Sequence, residues 1–331
     1  MSSQDLEVRP AAPAAGLSRF EIPVTGAASA ALFAAVLALP IFGTLGIPFA
    51  AVPIVRMAHR RGVAAGALAG LVCAGIVLGL GWATGGGGAA IAMAFFAALV
   101  VGLPTASVGF LRAGADPSRC YLGLCLAGAA LIAGLAAVSA SSPGRSLESE
   151  VASAFDRVTP SVVESYRRSG ADADTVTRMR ETLETSRDLA GRYLWGLFGA
   201  MWFAGAAVAF YAGAAAARPG TTADAARFDG LRVPAAAAGA FAVSGAAFGL
   251  LGGEGRRIAG NLLIPLAALY FLAGLSIICH FFRRWVRFRL LRAGLYVVVS
   301  YVPLNVGVAL LGLFDWYVDF RRRGGGRAER S

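Results

Sequence analysis

Charge is scarce in this chain, and lysine is missing altogether. Only 15% of the 331 residues are charged, and all 30 basic residues are arginine; a soluble domain carries about 25% charged residues. So little charge cannot cover a globule of this size with polar surface, which excludes an ordinary water-soluble fold. Cysteine is thin as well. Cys73, Cys120, Cys125 and Cys279 lie in or beside apolar stretches. None pairs in a C-x-x-C or zinc spacing, so no disulfide scaffold and no metal site is indicated. Carboxylates are absent from the interior of every long apolar stretch, which argues against a proton- or sodium-coupled carrier. There is no P-loop, no dinucleotide fingerprint and no zincin helix, so the sequence implies no cofactor. Aromatic and basic residues do not interleave as they do in nucleic-acid readers, so nucleic acid is not an expected partner.

Apolar residues fill the space instead. They make up 57% of the chain, and the mean hydropathy is +0.66. About 20 apolar residues cross a bilayer, and eight segments read as spans: 24–55, 63–82, 89–111, 120–140, 192–217, 233–252, 258–282 and 293–314. The expected fold is therefore all-α, a polytopic transmembrane bundle of about eight spans in a lipid bilayer. The first segment carries Pro40, Pro48 and Pro53, which break or kink helices. It reads as one kinked span plus a re-entrant piece, or as a hairpin of two. Thr84–Gly88, "TGGGG", reads as a turn.

The organisation expected is a disordered N-terminal segment (1–23), a first transmembrane group (24–140), an amphipathic helical segment (141–191), a second transmembrane group (192–314) and an arginine-rich tail (315–331). Loops 56–61, 112–119, 218–232 and 283–292 hold three, two, three and five Arg, whereas 83–88 holds none and 253–257 holds two. Basic loops stay cytoplasmic, so the long segment after the fourth span falls outside, as expected for a bacterial inner-membrane protein. The eighth segment reads as a simple crossing. That reading leaves a tail with five Arg outside, against the charge pattern; the alternative is that Pro303 and Asn305 break the segment into a re-entrant pair.

The segment 141–191 is written for water. Leu147, Val151, Phe155 and Val158 recur at helical spacing, and so do Val176, Met179 and Leu183. Pro160 reads as the start of a second helical turn. Ser169–Asp174 reads as a break, with Asp172 or Asp174 capping the next helix. That helix is expected to run without interruption into the fifth span. The whole reads as a helical extracytoplasmic cap: a connector, or a lid over a cavity.

The order of these pieces resembles a known family. Apolar spans lead to "SYRRSGADADTVTRMRETLE", then to "NLLIPLAALYFLAGLSIICHFF" (Asn261–Phe282), and last to "LLGLFDWYVDFRRR" (Leu310–Arg323). Together they resemble the YybS-like family of bacterial multi-pass membrane proteins, which is distantly similar to the substrate-binding S components of energy-coupling-factor transporters. The resemblance implies a membrane protein that binds a small solute and depends on a transmembrane coupling subunit for energy.

Polar residues at membrane depth are costly and are functional candidates by default. On that ground Asn261, Tyr270, His280, Tyr301, Asn305 and Asp315 are candidate ligand contacts. Asp315 and Asp319, flanking Trp316 and Tyr317, also suit an interface anchor with the acids paired to arginine. Small residues at every fourth position let helices approach closely in lipid, which makes Ala27, Ala31 and Ala35 a candidate docking row. "AVSGAAFG" (Ala242–Gly249) approaches the G-x-S-G run of rhomboid proteases. However, Ala242 replaces the first glycine, and Ser244 falls mid-span while His280 falls near a span end. A Ser–His dyad needs hydrogen-bond contact, so no enzyme is expected. A non-catalytic membrane scaffold is the alternative to solute binding.

Overall fold

The computed structural model describes residues 20–38, 40–141, 146–217, 226–286, 288 and 302–321. Every regular element among them is helical, so the chain is an all-α membrane bundle. Four described helical stretches are long and apolar enough to cross a membrane: Val63–Ala83, Pro117–Ala140, Ala173–Ala215 and Gly253–Trp285. Shorter apolar helices cover Glu21–Ala35, Phe96–Arg112, Ala235–Leu250 and Asn305–Val318. Only 17% of the hydrophobic window in Pro117–Ala140 is buried against protein. A helix so apolar and so exposed needs lipid as its solvent.

The chain divides into two compact units. One comprises Met1–Asp116 and Val208–Ala226, the other Pro117–Ala207 and Arg227–Ser331.

In the first unit, the proline-rich opening segment is a hairpin of two helices, α1 (Glu21–Ala38) and α2 (Pro40–Arg61). The helix begins at Glu21, inside the segment read as disordered; residues 1–19 lie outside the described ones. Arg61 at the end of α2 pairs with Glu21 at the start of α1 at 3.1 Å, which makes the hairpin antiparallel. Gly62 then takes φ 109, a left-handed value open to glycine, and α3 (Val63–Arg112) follows. Helical backbone runs unbroken through the expected turn at Thr84–Gly88, yet α3 is not straight. A Cβ on Gly66 would fall 2.9 Å from Thr105 Cγ2, and one on Gly70 would fall 3.2 Å from Val101 Cγ1. In a straight helix such pairs stand roughly 45–60 Å apart. The two arms therefore fold back on each other about Gly85 and Gly86, inside the glycine run. The chain thus reverses between the two arms, as the glycine run led us to expect. α2 also carries a π-helical turn, Val208–Ala212, and the short α7 (Gly213–Ala215) on its side. There a Cβ on Gly213 would overlap Val55.

The second unit contains α4 (Pro117–Ala140), the cap helix α5 (Leu147–Arg168), α6 (Ala173–Ala207), α8 (Ala235–Leu250), α9 (Gly253–Trp285) and α10 (Val302–Val318). α5 starts where Ser146 accepts from the Ser149 N–H at 3.2 Å, with Glu148 and Glu150 in its first turn and Arg167 and Arg168 in its last. Both charge placements favour the helix dipole. Pro160 does not restart the helix; α5 passes through it. Gly170, at φ 81, ends the helix. Asp172 then caps α6, accepting from the Thr175 N–H at 3.0 Å. Arg187 pairs with Asp156 across the α5–α6 hairpin at 2.9 Å. The uninterrupted run expected from cap into span is interrupted after all: α6 breaks at Tyr193, whose φ −118 and ψ 24 are not helical.

Below that break, α6 and α9 run parallel in close contact. Gly196 meets the Asn261 backbone and Gly199 meets Pro265. α4 packs on α6, with Tyr121 donating to the Phe203 carbonyl at 2.9 Å and Trp202 to the Leu124 carbonyl at 3.1 Å. α8 returns antiparallel to α9: Phe248 lies near Tyr193 and Gly260, Gly245 near Leu263, and Phe241 against Tyr270. α10 crosses α9 at two glycines. A Cβ on Gly274 would overlap the Val308 carbonyl oxygen, and one on Gly312 would overlap that of Tyr270.

The end of α10 corrects the reading of the eighth segment. Arg321 donates to the Leu231 carbonyl at 2.8 Å and to Ser276 Oγ at 2.7 Å. Arg232 lies 3.8 Å from Asp319, and Arg283 pairs with Asp229 at 3.2 Å. Arg321, the last described residue, thus lies beside the 227–232 stretch, whose Asp229 reaches Arg283, and not opposite it. A helix that starts at Val302 tolerates Pro303 in its first turn, where that N–H would lack an intrahelical partner anyway. Residues 289–301, which connect α9 to it, lie outside the described ones.

Candidate functional site

The two ends of α9 carry opposite kinds of site. At its N-terminal end a cleft of about 490 Å³ opens between the end of α4, the start of α5, the α6 break and the first turns of α9. Ala136, Ala140, Ile258 and Leu262 give it apolar walls, and Ser139, Ser146, Glu148, Trp195, Glu254, Arg257 and Asn261 line the remainder. A largely apolar concavity with a few convergent polar groups is the usual form of a small-molecule site.

The polar groups are tied to one another. Arg257 Nη2 binds Glu148 Oε1, and its Nη1 lies 3.4 Å from Glu254 Oε1. Trp195 Nε1 donates to the same Glu148 oxygen at 3.1 Å. Glu148 belongs to the cap and Arg257 to α9, so this ion pair joins the cap to the span beneath it. Both side chains are about one-third exposed, so water weakens the attraction but does not remove it.

Asn261 occupies the α6 break. Its Oδ1 accepts from the Gly196 N–H at 2.7 Å, and its Nδ2 donates to the Arg192 carbonyl at 3.1 Å and to the Arg257 carbonyl at 2.9 Å. In an uninterrupted helix Gly196 N–H and Arg192 C=O bond each other. Here one carboxamide takes both groups, so a side chain from α9 splices the broken ladder of α6, a recognised cause of a kink. The close approach needed for this splice requires glycine at 196: a Cβ there would lie 2.9 Å from Asn261 Cα.

The other candidates lie elsewhere. Tyr270 is buried where α9 meets α8 and α10, its ring edge-on to Phe241 at 5.5 Å and its hydroxyl without a partner among the described residues. His280 stands edge-on to Phe281 at 5.6 Å. It is nineteen residues past Asn261, about 28 Å along the helix. Asn305 lies in the first turns of α10, and its Oδ1 also lacks a partner among the described residues. Tyr301 lies outside the described residues.

Asp315 caps the end of α10. Its Oδ1 accepts from the Phe320 N–H at 3.2 Å, and its Oδ2 stands 3.8 Å from Arg321. It lines a smaller cavity of about 110 Å³ with Arg232, Trp316 and Asp319. Ala27, Ala31 and Ala35 point away from the first unit, whereas Gly26, Ser29, Ala30 and Phe33 form the buried face of α1.

The sequence reading missed Glu148, Trp195, Glu254 and Arg257. The one signal that could have found them is the pair of arginines in 253–257, on the side of the chain where loops otherwise lack basic charge.

Neither a curated protein nor a solved structure matches the chain. A family model does match, over residues 27–316, which is nearly the whole chain. The chain belongs to the family described as predicted membrane protein (DUF2232).

Proposed function

We propose that this protein binds a small solute in the cleft at the N-terminal end of α9 and depends on another membrane subunit for any energy that transport requires. The observation that carries the reading is the cleft itself. Its volume, about 490 Å³, lies within the range of about 300–1,000 Å³ usual for small-molecule sites. Its wall brings cap and spans together through Glu148 and Arg257. The positive-inside rule puts the arginines of 227–232, 283–284 and the tail in the cytoplasm of a bacterial inner membrane. The cleft then opens on the outer face, with the cap above it. The absence of a nucleotide-binding motif from the sequence supports the need for a coupling subunit.

The test is native mass spectrometry of the full chain released from detergent micelles. A retained small molecule, lost on Trp195→Ala, supports the reading. A mass equal to the bare chain, together with no loss of apparent affinity for any added solute on Trp195→Ala, overturns it. Pull-down from membranes tests the second half: an ATPase-linked transmembrane subunit should accompany the chain.

A further inference from the structure

The hydrogen-bonding capacity left in the cleft has a sign. Each side-chain nitrogen group that lines it is already tied to an acceptor inside the protein. Arg257 gives Nη2 to Glu148 and Nη1 to Glu254, Trp195 gives its indole N–H to Glu148, and Asn261 gives its amide to two backbone carbonyls. An incoming carboxylate or phosphate that took the remaining guanidinium N–H groups would stand beside the Glu148 and Glu254 carboxylates and be repelled by both. The acceptors are in surplus. Glu148 and Glu254 each bond through Oε1 alone, which leaves both Oε2 atoms without a donor among the described residues. Two carboxylates against one guanidinium leave one unit of negative charge in the cleft lining. The Trp195 ring adds a π face of the kind that attracts cations. Ser139 and Ser146 accept backbone N–H groups from Leu147 and Ser149 and carry no charge of their own. Ala136, Ala140, Ile258 and Leu262 supply the apolar remainder of the wall.

We infer that the cleft takes an organic ammonium: a positively charged amine head held by the free oxygens of Glu148 and Glu254, with an apolar body against Ala136, Ala140, Ile258 and Leu262. This assignment rests on the solute-binding reading above and names its chemical class. Arg257 is not the ligand's partner. It orients the two carboxylates and offsets one of them, so that a monovalent cation balances the site. The ammonium has two natural sources, a free amine or the ethanolamine headgroup of a phospholipid, and the chemistry at the carboxylates is the same for both.

The experiment is isothermal titration calorimetry of the full chain in an uncharged maltoside detergent, with n-hexylammonium and n-hexanoate as matched probes. Saturable binding of hexylammonium, weakened about tenfold by Glu148→Gln and by the more exposed Glu254→Gln, supports the assignment. Hexanoate should not compete. Saturable binding of hexanoate without hexylammonium overturns the charge assignment and leaves solute binding standing. Binding of neither probe, together with a bare mass in the native spectrum, overturns both. Equal binding of hexylammonium to wild type and to the Glu148→Gln, Glu254→Gln double variant overturns the site. Added phosphatidylethanolamine that abolishes the hexylammonium signal identifies the headgroup as the resident source; an unchanged signal identifies a free amine.

Discussion

Replacing Asn261 by alanine removes the splice in α6 without introducing bulk. Three hydrogen bonds go with it, at 2.7, 3.1 and 2.9 Å. Arg257 C=O still has its place in the α9 ladder and loses little. Gly196 N–H fares worse, because it is buried against α9 and no water reaches it easily, whereas the Arg192 carbonyl is exposed and water can replace its partner. A buried backbone group left without a partner costs about 1–3 kcal/mol, which is the cost of the Gly196 N–H if α6 stays bent. The alternative is for α6 to straighten and let the two groups bond each other. That saves most of the energy but moves the cap. From Ala173 to Tyr193 the cap arm of α6 is about 30 Å long, so relaxing a kink of about 20° swings its tip by roughly 10 Å. The swing would pull Glu148 from Arg257.

Two measurements together close off both escapes. Unfolding in detergent reads the first, and the distance between spin labels on Thr177 and Arg256 reads the second. Asn261→Ala should lose at least about 1 kcal/mol, or shift that distance by several ångströms. Asn261→Asp, which keeps the acceptor for Gly196 and loses the donor, should fall between. If Asn261→Ala matches wild type in both stability and distance, the carboxamide is not what joins α6 to α9.

Three further outcomes are expected. Gly274→Ala and Gly312→Ala each place a Cβ in overlap with a carbonyl oxygen of the neighbouring helix. No rotamer change relieves that, so each should cost about 1–3 kcal/mol or more, whereas Gly307→Ala, which meets open space, should be neutral in the same unfolding assay. A cysteine placed at Gly325 in a background without the four native ones should react with an impermeant maleimide from the same membrane face as one at Gly230, and from the face opposite to one at Gly252; the reverse would break the placement of Arg321. Finally, the Thr175 hydrogen bonds hold the Asp172 carboxyl below its ordinary value. The folded pKa is the lower one, so the cap's contribution is complete above the ordinary range of about 4 and fades as pH falls through the depressed value. Hydrogen-exchange protection of the Thr175 amide should fall over that acidic window, and Asp172→Ala should remove the dependence.

Much of the fold was legible because lipid imposes strong rules on composition. Long uncharged runs had to be helices, four of them long and apolar enough to cross a membrane, the chain had to reverse within Val63–Arg112, and a charged stretch with helical periodicity had to form a helix. The cap of α6 was narrowed to Asp172 or Asp174 by their place before the periodic run, and the structure selects Asp172. The candidate site was much less legible. Asn261 stood out as polar at membrane depth, but its partners are backbone atoms sixty-five and sixty-nine residues earlier, and no local pattern encodes contacts at that range. The break at Tyr193 has no proline to mark it, and the glycines at 191 and 196 are two among the 43 of the chain; Asn261 supports the break from another helix. Pro160, which carries a strong local signal, produced no break at all, since α5 passes through it near the middle of the cap.

The informative places were the exceptions to the charge rule. Two arginines in 253–257 and five in the tail both contradicted a simple alternation of basic and neutral loops. The structure resolves each in a different way. In 253–257, Arg257 lies between Glu148 and Glu254 and belongs to the lining of the cleft, while the larger number of arginines in 227–232 and 283–284 sets the expected orientation. In the tail, Arg321 is the one described arginine, and it returns to Leu231 and Ser276 beside those basic stretches. Orientation follows the number of basic residues near span ends, with little correction for nearby carboxylates. An arginine that breaks the pattern therefore has either a local structural role or a place in a segment whose path the sequence alone does not show. The first case points to the cleft and the second to the end of α10.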